Sequence, residues 1–214
     1  SPQSPLPPDQ AEARARLGAA YRRLGHAIAG HHIDVATADD ATAGLDRLLG
    51  TISTGERRDR VTERPTGDWG PAPVDGEQMY SFDERPVSGR SAPLGFDVAV
   101  FRDGDDAVGH IALGRAHEGA PSRSHGGIVS ALFDDLFGFV LTIEQQPAFT
   151  GELTVRYEAP TPIEVPLECR TRLVERDGRK LHMAGELTDT TTGVVTATAR
   201  AIMIAIDAEA FRRV

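Results

Sequence analysis

The stretch His125-Gly126-Gly127-Ile128-Val129-Ser130-Ala131-Leu132-Phe133-Asp134-Asp135-Leu136-Phe137-Gly138 gathers three features with chemical potential. A histidine precedes two glycines, the glycines open an apolar run, and two carboxylates stand inside that run. The first turn of a helix leaves backbone N–H groups without partners, and its dipole favours negative charge. Glycine there puts no side chain between those N–H groups and a ligand, which suits an oxyanion hole for a carbonyl gaining charge. Alone, a Gly-Gly pair needs nothing beyond a tight loop-to-helix turn. The carboxylates are harder to explain structurally. An ionised aspartate among Leu132, Phe133, Leu136 and Phe137 costs several kcal/mol of desolvation unless paired or wet. Such groups are functional-site candidates with raised pKa. Neighbours on a helix differ by about 100° in direction, so one of Asp134 and Asp135 is expected to face the site. The other is expected to meet solvent or an arginine.

Spacing adds a constraint. Nine residues separate His125 from Asp134, roughly 13 Å along a helix. The aspartate therefore cannot reach a carbonyl held at the start of its own helix. Either another base serves that carbonyl, or a second subunit brings its helix alongside, and a dimer with composite sites is expected. Thr150 opens the next strand and is placed to orient a water; as a lone threonine it is equally an ordinary strand residue. No Gly-x-Ser-x-Gly elbow is present. His31, His32 and His182 lack metal-ligand spacing, and the lone Cys169 excludes both an intrachain disulfide and a cysteine-rich metal site.

These residues must be positioned by the elements around them. Ser1–Pro8 is expected to be disordered, and helices are predicted over Asp9–Ala29 and Thr37–Thr54. The first has an apolar stripe of Leu17, Tyr21, Leu24 and Ile28 at spacings of 4, 3 and 4. The second begins at a capping-box-like Thr37/Asp40 pair and carries Leu45, Leu48, Leu49 and Ile52. Together they read as a helical hairpin packing on something else. Glycines and prolines between Gly55 and Arg90 predict a linker or surface-hugging loop, with Trp69 and Phe82 as candidate anchors. Strands are predicted at Phe96–Arg102 and Ala107–Gly114 around an Asp-Gly turn, then a helix buried on nearly every side over Ile128–Ile143. Four further strands follow, at Gly151–Glu158, Val165–Glu175, Arg179–Thr188 and Val194–Ile206. Alternation in the first puts Leu153, Val155 and Tyr157 on one face and Thr154 and Arg156 on the other. A mainly antiparallel sheet wrapped around one central helix satisfies this order, an α+β architecture.

His-Gly-Gly at 125–127, an aspartate nine positions on, and Thr-x-x-Leu-Thr-Val-x-Tyr-x-x-Pro at 150–160 together resemble the hotdog-fold acyl-CoA thioesterases, in the branch typified by the phenylacetate-pathway enzyme. The resemblance spans about 91–206, so the expected organisation is a helical extension (1–60), a linker (61–90) and a hotdog domain (91–214). It implies Asp134 as general base or nucleophile, the Gly127 N–H polarising the thioester carbonyl, His125 shaping the loop and Thr150 holding water or supporting Asp134. Gly126 and Asp135 fall beside them as substrate contacts. The resemblance further implies dimers or dimers of dimers, acyl-CoA as substrate and no cofactor besides the coenzyme A of that substrate. Asp135 departs from the family's commoner Glu. Coenzyme A phosphates call for an arginine at the mouth, with Arg123 and Arg156 as candidates and an ordinary surface role as the alternative for each.

Composition sets outer limits. Lys+Arg of 23 against Asp+Glu of 32 gives a net charge of −9, unfavourable for nucleic acid or an anionic membrane. Without a run of 18 apolar residues or a leader-like start, a cytoplasmic protein is expected. The rival readings are a non-catalytic acyl-CoA sensor, a thioesterase acting on acyl-carrier protein and, ranked below, a hotdog hydratase.

Overall fold

The computed structural model describes residues 6–59 and 71–207. Helices α1 (Pro8–Gly30) and α2 (Val35–Ser53) come first, then the short strand β1 (Gln78–Met79) and the hairpin β2 (Ala99–Asp103) and β3 (Asp106–Ala112). A 3₁₀ turn (Arg115–His117) leads to helix α3 (Gly126–Ile143), and strands β4 (Ala148–Tyr157), β5 (Pro166–Asp177), β6 (Lys180–Asp189) and β7 (Val194–Ala205) complete the chain. All pair antiparallel in one seven-stranded sheet of order β1-β2-β3-β5-β6-β7-β4. This is the sheet-around-helix architecture expected from the sequence.

The tight turns fall where the sequence places them. Gly104 and Gly178 adopt φ of +62° and +55°, a left-handed backbone that favours glycine. Helix α3 fills the concave side of the sheet: Leu132, Phe133, Leu136 and Phe137 are wholly buried, each adding about 1.5–3 kcal/mol of hydrophobic stabilisation. By length and composition α3 could cross a membrane (18 residues, mean hydropathy 1.6). Here it is the core helix, and it contains two aspartates.

Several expectations are corrected. The 61–90 region is not wholly irregular, because β1 joins the sheet edge and Met79 reaches the core. Phe82 is half-buried. Trp69, Pro65, Gly67, Gly70 and residues 1–5 lie outside the described residues, and Pro8 already opens α1. Helix α1 docks through Ala11, Ala15, Gly18 and Arg22, not through its Leu17/Tyr21/Ile28 stripe, which is about half exposed. Small residues win this face because the backbone comes close: a Cβ on Gly18 would stand 2.7 Å from the Ser91 backbone. Arg22 then reaches in, bonding Asp97 at 2.6 Å and the Ala92 carbonyl at 2.8 Å. In α2 the cap is Asp34, whose carboxylate accepts from the Thr37 N–H at 2.8 Å, in place of Thr37 itself. The two helices form no hairpin; every residue of α2 except Gly44 is exposed.

Candidate functional site

His125 caps α3, its Nδ1 accepting from the Gly127 N–H at 3.0 Å. The donor expected to polarise a carbonyl is therefore already engaged. Among the described residues no acceptor takes the Gly126 N–H, so the open donor at the helix start belongs to Gly126. The loop before it is fixed: the His125 N–H donates to His117 O (2.8 Å) and the Ser124 N–H to Thr161 O (2.9 Å).

Two residues to which the sequence reading gives no site role, Tyr157 and Ser130, hold Gly126. The Tyr157 hydroxyl donates to the Gly126 carbonyl at 2.8 Å, Ser130 Oγ donates to the same carbonyl at 3.1 Å, and the two hydroxyls lie 2.9 Å apart. A Cβ on Gly126 would stand 2.9 Å from Tyr157 Oη. Ser130 falls four residues beyond Gly126, one helical turn on, and that spacing could have pointed to it. Tyr157 keeps the alternation that puts it with Leu153 and Val155 on the helix side of β4: those two pack against the core, while Tyr157, half exposed, lies over the helix start. Beside it opens a cleft of about 550 Å³ lined by Ala120, Arg123, Gly126, Val129, Tyr157 and Pro160 among others. Arg123 thus borders the cleft. Arg156 stands on β4, largely exposed and paired with Glu158 at 3.1 Å.

The two aspartates part company. Asp134 is exposed on a helix that is otherwise largely buried, and Thr150 Oγ1 donates to its Oδ1 at 2.8 Å. A bulge creates this contact: Thr150 pairs with Met203 and Glu152 with the next residue, Ile202, leaving Gly151 extra. The extra residue shifts the two-residue alternation, so Thr150 turns toward α3 while Leu153 and Val155 still face the core. Asp135 points the other way, into the protein. It is 4% exposed and ion-paired with Arg85, which also donates to the Asp135 carbonyl at 2.8 Å and lies over the Phe139 ring. Burial pushes the Asp135 carboxyl up, opposed by the Arg85 charge and the Ser88 hydroxyl. The carboxylate with the perturbed pKa is therefore an interior ion pair, and it does not border the cleft.

Asp134 and Thr150 meet, and His125, Gly126, Gly127 and Arg123 cluster at the helix start. The two groups are separated by about 12 Å of helix, so one chain does not bring them to a common point. Among the described residues no cluster of three or more His, Cys, Asp or Glu side chains could hold a metal.

Residues 139–214 match the family model of the thioesterase-like superfamily. No curated protein matches the sequence. A crystal structure of RHA08564, a thioesterase superfamily protein, superposes with a TM-score of 0.72 at 23% identity, covering 89% of this chain and 90% of that one. The E. coli PaaI protein from the phenylacetic acid degradation operon gives 0.49 at 15%, over 52% of this chain and 81% of its own. A hypothetical Streptococcus pneumoniae thioesterase solved with coenzyme A gives 0.45 at 17%, over 47% and 80%. What this chain shares with known proteins is thus a hotdog fold, in a solved structure that superposes over 89% of its length, and, over residues 139–214, the sequence pattern of the thioesterase-like superfamily.

Proposed function

We propose that this protein hydrolyses acyl-CoA thioesters in sites shared between two subunits. The observation that carries the reading is Asp134, an exposed carboxylate on the core helix held in one orientation by Thr150. With Oδ1 occupied by the threonine, Oδ2 is left to take a proton from water. The water oxygen attacks the thioester carbonyl, and the charge gathering on the carbonyl oxygen is met by the Gly126 N–H at the positive end of α3. The C–S bond then breaks, coenzyme A leaves as thiolate, and the proton held by Asp134 passes to it. Because a thiolate is a good leaving group, this needs neither a serine nucleophile nor a metal. Asp134 of one subunit serves the Gly126 end of the other, as the separation along α3 requires. His125 holds the turn and Arg123 at the cleft meets coenzyme A phosphate; Arg156, neutralised by Glu158, contributes less.

Thiol release from short-, medium-, long-chain and aromatic acyl-CoAs tests this. Wild type and Asp135→Asn should release thiol; Asp134→Asn should fall by about 10²–10⁴-fold. Asp135→Asn should instead lose about 3 kcal/mol of stability, because it strands the half-buried Arg85 charge. Binding of acyl-CoA without release would favour a sensor. Release only from acyl-carrier-protein thioesters would move the substrate to that carrier.

A further inference from the structure

The loop between the 3₁₀ turn and α3 carries Ala120, Arg123 and Ser124 of the cleft, and Gly126 follows it directly. Its two arms are joined in order by the His125 N–H on His117 O at 2.8 Å, the pairing of Glu118 with Ser124, and the Gly119 N–H on Arg123 O at 2.9 Å. They run so close that a Cβ on Gly119 would stand 2.9 Å from His125 Cα. One side of the loop rests on Thr161 and Pro162. The other side rests on the Arg115–His117 turn, so where that turn sits decides where Arg123 and the start of α3 sit.

A three-residue turn is too short to hold itself, and the N–H groups at its start have no carbonyl behind them to donate to. Two imidazoles take them. The Gly114 N–H donates to His117 Nδ1 at 3.1 Å, and the Ala116 N–H donates to Nδ1 of His26, on α1, also at 3.1 Å. Accepting at Nδ1 leaves the proton of each neutral ring on Nε2. The two rings meet edge to face, with centroids 4.8 Å apart and planes at 90°, and Phe96 edges His117 at 4.8 Å. Gly114 is what lets α1 come so near: a Cβ there would stand 2.6 Å from His26 Cε1 and Nδ1. His26 lies four residues beyond Arg22, one turn on along the face that docks α1. The bonds from Arg22 to Asp97 and Ala92 hold that face in place.

We propose that His26 is a positioning residue of the cleft. By taking the Ala116 N–H it fixes the Arg115–His117 turn, and through the His117–His125 bond it fixes Arg123 and the Gly126 N–H. Helix α1 is thus part of the site, although none of its residues lines the cleft. The kinetic consequence rests on the hydrolytic reading; the structural one does not.

The test is amide hydrogen exchange by NMR, together with acyl-CoA turnover, on wild type, His26→Leu, His26→Asn and Gly114→Ala. Leucine fills the space without an acceptor, and asparagine returns an amide oxygen near the place of Nδ1. Alanine at 114 displaces the ring from the side of the turn. Arg22 keeps α1 docked in all three, so the amides of Cys169 and Leu187, paired in the middle of the sheet, should exchange as in wild type. In His26→Leu and Gly114→Ala the His125 amide should exchange at least about tenfold faster. Their kcat/KM should fall by about 10–100-fold, with KM rising through Arg123 and kcat falling through Gly126. His26→Asn should recover both. A His125 amide that exchanges as in wild type in His26→Leu would overturn the proposal. So would unchanged turnover once that amide is freed, or an asparagine variant no better than leucine. A wild type that releases no thiol sinks the hydrolytic reading instead, and the exchange of His125 then decides the role of His26 alone.

Discussion

At the scale of single residues, Gly126 and Gly127 look alike in sequence and differ in the structure. The Gly127 N–H is taken by His125, and a Cβ added at Gly127 would meet only the tip of that imidazole, at 3.1 Å. A Cβ on Gly126 would press on Tyr157 Oη at 2.9 Å, disturbing the hydroxyl pair that fixes its carbonyl. Gly126→Ala should therefore cost at least about 100-fold in turnover and Gly127→Ala far less, with both melting near the wild-type temperature; acyl-CoA kinetics and thermal melts check this. His117 gives a second residue-scale expectation. Its Nδ1 accepts from the Gly114 N–H, and its ring is edged by Phe96 and His26. Burial, reinforced by His26 and opposed by Asp97, lowers its pKa to about 4. Folding thus holds it neutral, while the unfolded chain takes up a proton below about 6.5. Stability should fall as the pH drops from about 6.5 towards about 4, by roughly 3 kcal/mol in all. Denaturant titrations at pH 7.0 and 4.5 should show that fall in wild type and most of it gone in His117→Gln.

At the scale of elements, the bulge in β4 decides whether Thr150 meets Asp134. Were Gly151 paired as an ordinary strand residue instead of left over as an extra one, the strand would alternate unbroken and Thr150 would turn to the face opposite the helix. Deleting Gly151 joins Thr150 to Glu152 in the register they already hold, opposite Met203 and Ile202, so thioester hydrolysis should stay well above that of Thr150→Val while the sheet, anchored by Leu153 and Val155, still forms. Activity as low as that of Thr150→Val would show that the register of the strand is not what aims the threonine. The loop after β1 supplies the other half of the arrangement. Arg85 holds Asp135 inward, and because neighbours on a helix diverge by about 100°, fixing Asp135 inward leaves Asp134 outward.

At the scale of the whole molecule, the cleft at Gly126 and the carboxylate at Asp134 belong to different places on one chain, so a shared site requires two. Co-assembling Asp134→Asn chains with Gly126→Ala chains tests this. In a mixed dimer one of the two sites combines an intact Asp134 with an intact Gly126, and random pairing should restore roughly a quarter of wild-type activity. Sites complete within one chain would restore nothing above the parents.

How much of this was legible in advance follows from the range of the forces involved. The sheet-wrapped helix could be read because burial periodicity and glycine turns are local signals: the alternation of β4 to β7, the apolar run of α3 and the turns at Gly104 and Gly178 all appear where the residues place them. The distance from His125 to Asp134 is fixed by helical rise alone, and with it the need for a second subunit in the proposed chemistry. Three things were decided only by tertiary contacts. Arg85, fifty residues upstream, settled which aspartate turns inward. One extra residue in β4 set which way Thr150 faces, since a period of two carries no mark of where it slips. The close approach of Gly18 to Ser91 chose a face of small residues over a stripe of large ones for α1. That left two apolar stripes in the open, because hydrophobicity records that a face is to be covered and says nothing of which surface covers it.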